Sequence, residues 1–260
     1  MKTLELFANV IAAINTPACD KDRVLEQIAS DLLLEISKSS NVNKSGASAK
    51  SLLKYHQQIL KTVDDSRRVL KTAPVIKFSD GIERQVSCDG FRMFRTVTKF
   101  ELPALAKDQQ YIDAEAIIPK LSYLYELPFP MPNPEIVKAF IAYCKANKFD
   151  SKYDKTAFMI GGKNEAESIA VNPKYLLEAL ESCADQKWYY SSPIKPLYFV
   201  SESDKCDGCL LPVRIVGKPS FFEVNDKFNA MLKRALSGER VEIELSPKAL
   251  ERIAQSNFIK

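Results

Sequence analysis

No apolar run in the chain approaches the roughly 20 residues that a membrane-spanning helix needs, which argues against a membrane-embedded protein. The amino-terminal "MKTLELFANVIAAINTPAC" has one lysine before an apolar stretch, but Glu5 and Asn9 interrupt it. An acidic residue inside that stretch argues against a secretory signal, so the expectation is a soluble cytoplasmic protein. The catalytic signatures are missing too. "MIGGKNE" holds Gly161, Gly162 and Lys163 but lacks the upstream glycine and the Ser/Thr of a phosphate loop, and reads as a hairpin turn. There is no nucleophile elbow and no paired-carboxylate motif. The single histidine, His56, lies on an apolar helix face and reads as a packed residue with no evident partner. Net charge is small, +4 over 260 residues, so nucleic-acid binding would require a local concentration of basic side chains.

The six cysteines are scattered, which in a reducing compartment implies free thiols. Only Cys206 and Cys209 have a suggestive spacing. Two cysteines so placed can supply half a zinc site or a redox pair, the basis for reading the chain as a zinc- or thiol-dependent enzyme. The bland reading of "CDGC" is a hairpin turn carrying two thiols, with no bound metal and no cofactor.

At 46% hydrophobic and 27% charged, the chain is long enough for two domains or one elongated one. Residues 3–14 and 21–38 read as helices, the second with a stripe of Val24, Leu25, Ile28, Leu32 and Ile36. A Ser/Asn/Gly linker follows. A third helix spans 47–63, with Leu52, Leu53, His56, Ile59, Leu60 and Val63 on one face. Beyond Pro74 the pattern turns to strands, with Asp80-Gly81 and Asp89-Gly90 as hairpin signals. "YIDAEAIIPKL" can hold a brief helix. "ELPFPMPNP" has four prolines in nine residues and reads as a boundary. The second half repeats the style of the first. A helix starting at Pro134 carries Val137, Phe140, Ile141 and Cys144 inward, and "VNPKYLLEALESC" shares a face among Leu176, Leu177, Leu180 and Cys183. The tail from Phe221 reads as a helix, a strand "RVEIEL" and a helix capped by Ser246. The order predicts an α+β fold with internal duplication.

"VNPKYLLEALESC…WYYSSPIKPLYFVSESDKCDGCLLPVRI" resembles the last domain of the bacterial DNA polymerase sliding clamp, the beta clamp family. In that family a V-x-x-K-Y-L-L-x-x-L helix is followed by antiparallel strands and a closing strand of the type M-P-M-R-L. Here the closing strand reads Leu211, Pro212, Val213, Arg214, Ile215. The family's preceding domain carries a T-D-G-H-R-L strand. This chain has Cys88, Asp89, Gly90, Phe91, Arg92, Met93. The likeness covers roughly residues 47–215. Cys88 replaces the family's Thr and Phe91 its His, and two clamp-like domains stand where the family has three. The resemblance implies domains at 47–127 and 128–215, antiparallel sheet with helices; the helical extension with linker (1–46) and the α/β tail (216–260) are read from the residues and match nothing in the family.

The resemblance also implies a non-catalytic role in DNA replication, as a processivity factor binding duplex DNA non-specifically and gripping peptides of polymerases or other replication proteins. A homo-oligomeric ring or a peptide-binding adaptor without one are both compatible. The implied peptide groove is Gly90, Phe91, Arg92 and Met93 against Leu211, Pro212, Val213, Arg214 and Ile215, with Phe91, Met93 and Val213 as apolar walls and Arg92 and Arg214 holding a peptide carboxylate. Sliding requires phosphate contacts that do not read sequence. Residues 47–74 carry Lys50, Lys54, Lys61, Arg67, Arg68 and Lys71 against Asp64 and Asp65, which concentrates the chain's basic character. Lys50, Lys54 and Lys61, with Lys138 and Lys145 on the later helix, are the expected DNA contacts; the bland reading is a solvated helix face.

Overall fold

The computed structural model describes residues 45–149, 156–161, 167–214 and 220–256. Contacts divide the chain into two compact units, Met1–Ala49 and Lys50–Lys260. Of the first, only the opening turn of a helix lies among the described residues; the helices expected at 3–14 and 21–38 lie outside them.

Apolar periodicity sets the helices. α1 (Ser45–Thr62) buries Leu52, Tyr55, His56 and Ile59. A 3-10 segment (Asp65–Lys71) follows, with the Asp64 carboxylate accepting from the Ser66 amide. β1 (Val75–Lys77), β2 (Glu83–Cys88) and β3 (Arg92–Thr96) form consecutive antiparallel pairs. Both expected Asp-Gly turns lie between them, and Gly81 and Gly90 have φ of +78° and +89°, where a side chain would be strained. α2 (Ala114–Ile117) is the brief helix foreseen in "YIDAEAIIPKL", capped by Asp113.

β4 (Tyr125–Glu126) precedes the proline-rich stretch. α3 (Pro134–Ala146) starts with proline in its first turn, behind an Asn133 cap whose oxygen accepts from the Glu135 amide at 2.8 Å. β5 (Phe158–Gly161) and β6 (Ser168–Val171) are a separate antiparallel pair. α4 (Pro173–Leu180) repeats the device of α3, an Asn172 cap followed by Pro173. Then come β7 (Lys187–Tyr190), β8 (Leu197–Ser201), β9 (Cys206–Leu210), α5 (Ser220–Leu236) and α6 (Pro247–Ala254), the last capped by Ser246. "RVEIEL" is not a strand. It pairs with no strand, bends at Glu242 and Ile243 between α5 and α6, and Ile243 anchors it in the core.

Seven strands form one antiparallel sheet in the order β1-β2-β3-β9-β8-β7-β4. The β3–β9 pair joins sequence from both sides of the proline-rich stretch, with Met93 opposite Cys209 and Arg92 opposite Leu210. Strand alternation splits the core. Phe94, Leu197, Phe199, Cys206 and Leu210 face one side and pack with α1, α3, α4, α5 and α6. Val86, Cys88, Met93, Tyr198 and Cys209 face the other, against Phe78, Ala114 and Ile118. The observed class is α+β with antiparallel sheet.

"CDGC" is therefore not a turn but strand β9 itself. Gly208 sits beneath the Phe199 ring, and a Cβ there would lie within 2.7 Å of the Met93 carbonyl oxygen. The Asp-Gly pair serves packing. Cys206 and Cys209 belong to cores on opposite faces of the sheet, so they do not form a chelating pair. Among the described residues no cluster of three or more His, Cys, Asp or Glu is placed to hold a metal ion.

Candidate binding groove and basic helix face

The turn between β2 and β3 is built around Asp89, which is 3% exposed. Its Oδ1 accepts from the amides of Phe91 and Arg92, both at 2.9 Å. Its Oδ2 accepts from the Thr62 hydroxyl at 2.7 Å and from Arg92 Nε at 2.9 Å. The turn is thus fixed to the end of α1. Gly90 gives way to Arg67, whose guanidinium lies where a Cβ would be and donates to the Asp89 carbonyl at 3.5 Å.

Leu211 reaches this turn by extending the β3–β9 ladder one step, its amide donating to the Phe91 carbonyl at 2.8 Å. Pro212 then has no N–H to continue the ladder. The chain leaves the seven-stranded sheet there, and the Val213 amide donates instead to Ala170 on β6 at 2.7 Å. Below the turn a cavity of about 260 Å³ opens, lined by Leu70, Cys88, Gly90, Phe91, Arg92, Met93, Ile112, Ile117, Cys209 and Leu211. Met93 and Cys209 form a buried floor. Phe91, Leu211 and Ile117 form a rim that stays 37–43% exposed. A second depression, of about 430 Å³, shares Leu70 and Ile112 and brings Arg67 and Arg68 to the neighbouring wall.

Some expected groove residues meet there and others do not. Gly90, Phe91, Met93 and Leu211 line one cavity. Arg92 contributes its backbone only. Its side chain points to the helical face, where Nε pairs with Asp89, Nη1 with Glu178 on α4, and Nη2 donates to the Gln58 carbonyl at 3.1 Å. The guanidinium also sits 4.1 Å from the Tyr175 ring centroid. Those partners occupy its donors, so it is a buried staple between β3, α1 and α4 and does not serve as a rim cation. Val213 is not a groove wall either; it packs with Ala157, Ala170 and Phe221. Pro212 marks the exit of the chain, Arg214 is exposed, and Ile215 lies outside the described residues. Sequence reasoning did not include Leu70, Ile112, Ile117 and Cys209 in the groove. Cys209 was accessible in principle, two residues before Leu211 on the same strand face.

The five lysines expected at DNA are all exposed. Lys50, Lys54 and Lys61 follow the outer stripe of α1, opposite Leu52, Tyr55 and Ile59. Lys138 and Lys145 follow that of α3. Two helices converge on one carboxylate: Glu181, just after α4, lies 3.8 Å from Lys54 Nζ and 2.9 Å from Lys138 Nζ. Hydrogen bonding to Glu181, then to Glu135, raises the Lys138 ammonium above its ordinary value. Part of the basic face is therefore internally compensated.

His56 has partners that its spacing did not reveal. Its Nδ1 lies 2.8 Å from the Ser87 hydroxyl and its Nε2 3.0 Å from that of Thr96. Thr96 gives its own proton to the Thr98 carbonyl at 2.7 Å, so Nε2 carries the histidine proton and Ser87 donates to Nδ1. Burial pushes the imidazole down to about 3, and it stays neutral.

No protein-family model matches the chain, and no curated protein matches it in sequence. Among solved structures it is similar to the DNA polymerase III beta subunit of Borrelia burgdorferi, determined in complex with a natural product (15% identity, TM-score 0.42, 62% of this chain and 61% of that one). It is similar to the sliding clamp of Bacillus subtilis (14% identity, TM-score 0.41, 62% of each chain). It is also similar to the Helicobacter pylori beta clamp bound to a DNA ligase peptide (13% identity, TM-score 0.39, 61% of this chain and 62% of that one). The chain spans about three fifths of the length of these clamps. No described helix is long and apolar enough to cross a membrane.

Proposed function

We propose that the protein is a non-catalytic, clamp-like scaffold that takes an apolar peptide segment of a replication protein in the groove between the β2–β3 turn and Leu211. One observation carries the reading: the "CDGFRM" turn and Leu211, about 120 residues apart in sequence, join by a ladder hydrogen bond and open a cavity with an apolar floor and an exposed apolar rim. Exposed Phe, Leu and Ile around a preformed cavity suit a short peptide with two or three apolar anchors. Arg67 and Arg68, at the adjoining depression, take the cationic role first assigned to Arg92.

The segments 47–127 and 128–215 are read as two clamp-type repeats sharing the seven-stranded sheet. The lysine stripes of α1 and α3 would meet duplex phosphates without reading sequence. Binding of that kind is weak and loses about one power of salt concentration per phosphate neutralised. The alternative is a peptide adaptor that forms no ring. The engagement of Lys54 and Lys138 by Glu181 favours it, because compensated lysines attract phosphate less.

A fluorescein-labelled peptide with a glutamine followed by spaced leucine and phenylalanine tests the groove by anisotropy. The expected dissociation constant is in the micromolar range, about −8 kcal/mol. Leu211→Glu and Ile117→Glu place charge on the exposed rim and should weaken binding at least tenfold with an unchanged melting temperature. Equal affinity in both variants would remove the groove as the peptide site. Sedimentation with and without duplex DNA separates ring from adaptor.

A further inference from the structure

The lysine stripes of α1 and α3 meet at one carboxylate, and its two oxygens serve different helices. Glu181 Oε2 lies 3.8 Å from Lys54 Nζ on α1, and Oε1 lies 2.9 Å from Lys138 Nζ on α3. Two ammonium groups brought from separate helices to one pair of anionic oxygens make a seat of the kind that takes a phosphodiester. Here the protein fills the seat with its own side chain. Local preference does not place a carboxylate at that point. Glu181 caps the C-terminal end of α4, its amide donating to the Leu177 carbonyl at 3.0 Å. A negative charge there meets the negative end of the helix dipole. The lysines offset that cost. Lys138 has a second acceptor, Glu135 Oε1 at 3.3 Å, but Arg252 Nη1 shares that oxygen at the same distance. The rest of the stripe differs. Lys50, Lys61 and Lys145 form no ion pair among the described residues. All three side chains of the bridge keep solvent access, so an outside anion can reach them.

We propose that Glu181 is an internal competitor for duplex DNA phosphate, an autoinhibitory contact that holds Lys54 and Lys138 back from the duplex. The proposal rests on the reading that the lysine stripes meet duplex phosphates, and it adds how that contact is restrained. For the duplex to engage these two lysines, phosphate oxygens must displace the carboxylate from both. The exchange trades one ion pair for another, so Lys54 and Lys138 add little net attraction while Glu181 is present. Lys50, Lys61 and Lys145 carry the binding. Solvent-exposed ion pairs are weak, so the restraint lowers affinity without closing the face. Neutralising the one carboxylate releases two cations on neighbouring helices at once.

The test is fluorescence anisotropy of the full chain with a labelled duplex of random sequence, repeated across a salt series, with melting temperatures measured alongside. Glu181→Gln keeps the size and removes the charge. It should bind the duplex about tenfold tighter at low salt, with a dependence on salt steeper by about one to two powers as the two lysines reach phosphate. Lys54→Gln or Lys138→Gln should change the affinity of the parent chain by less than about twofold, yet each should undo much of the gain in Glu181→Gln. Lys61→Gln should weaken binding in both backgrounds. Glu83→Gln, on β2, frees Lys99 in the same way but off both helices, and controls for net charge. Equal duplex affinity in the parent chain and Glu181→Gln would overturn the proposal and leave the duplex reading standing. A lower melting temperature in that variant would then make the bridge a strap between helices. A gain that Glu83→Gln matches would also overturn it, as an effect of net charge alone. No duplex binding by either chain at low salt would overturn the duplex reading itself, and this proposal with it.

Discussion

The two faces of the β3–β9 pair share a backbone but solve opposite problems. Toward the helices, Arg92 is 1% exposed and its charge is met by Asp89, Glu178, the end of α1 and an aromatic ring. Toward the groove, Met93 and Cys209 are buried beneath apolar neighbours, Phe91, Leu211 and Ile117, whose outer surfaces stay in solvent. One residue's step along a strand separates a closed polar staple from an open apolar seat. A face in which each charge has a partner holds the architecture. A face with apolar surface to spare can accept something from outside.

The comparison predicts where substitutions will hurt. Arg92→Met should cost most, about 3–5 kcal/mol in chemical denaturation, because it strands the buried Asp89 and Glu178 carboxylates. A loss under about 1 kcal/mol would mean the network is not closed. Gly208→Ala should follow at about 1–3 kcal/mol, since the new methyl meets Phe199 and the Met93 carbonyl. A neutral result would show that the sheet has slack at that point.

The third expectation is pH dependence from His56. Its folded value, about 3, lies below that of an unfolded histidine near 6.5, so the unfolded chain binds the extra proton. The stabilisation is complete above about pH 6.5 and falls as pH drops, by about 1.4 kcal/mol per pH unit in the range before carboxylates titrate. His56→Gln should flatten the slope between pH 5 and 6.5. An unchanged slope would assign the dependence to other groups. The smallest effect is at Tyr55, whose hydroxyl is the one buried side-chain polar atom without a hydrogen-bond partner among the described residues. Tyr55→Phe should be neutral or stabilise by up to about 1 kcal/mol. A clear loss would reveal a partner for that oxygen.

Much of the architecture was legible in the sequence, for reasons these residues make plain. The α1 stripe, the Asn-Pro starts of α3 and α4, the Ser246 cap and the two Asp-Gly turns are local rules, and each appears in the fold. The misreadings share a cause. Asp207-Gly208 has the composition of a turn, but Phe199 needs the missing Cβ, a demand made by a residue nine positions away in sequence. "RVEIEL" alternates as a strand should, yet it bends at Glu242 and Ile243, where Ile243 turns into the core, and it pairs with no strand. For Arg92 the parity of the strand was readable, but not which parity faced the helices, and so a staple was taken for a rim cation. The groove was half visible. Its two strand segments have sequence signatures, whereas Leu70, Ile112 and Ile117 reach it from irregular segments and a four-residue helix with no such mark.

The central claim is that the open face is a peptide seat and the closed face is not. Methyl-resolved NMR of the full chain, with Met, Ile and Leu methyls labelled and the leucine-phenylalanine peptide titrated in, tests it most directly. The account predicts saturable shifts at Met93, Ile112, Ile117 and Leu211, with Ile59 and Leu176 under the polar staple unmoved. Shifts confined to the helical face, or none at Met93 and Leu211 at saturating peptide, would contradict it.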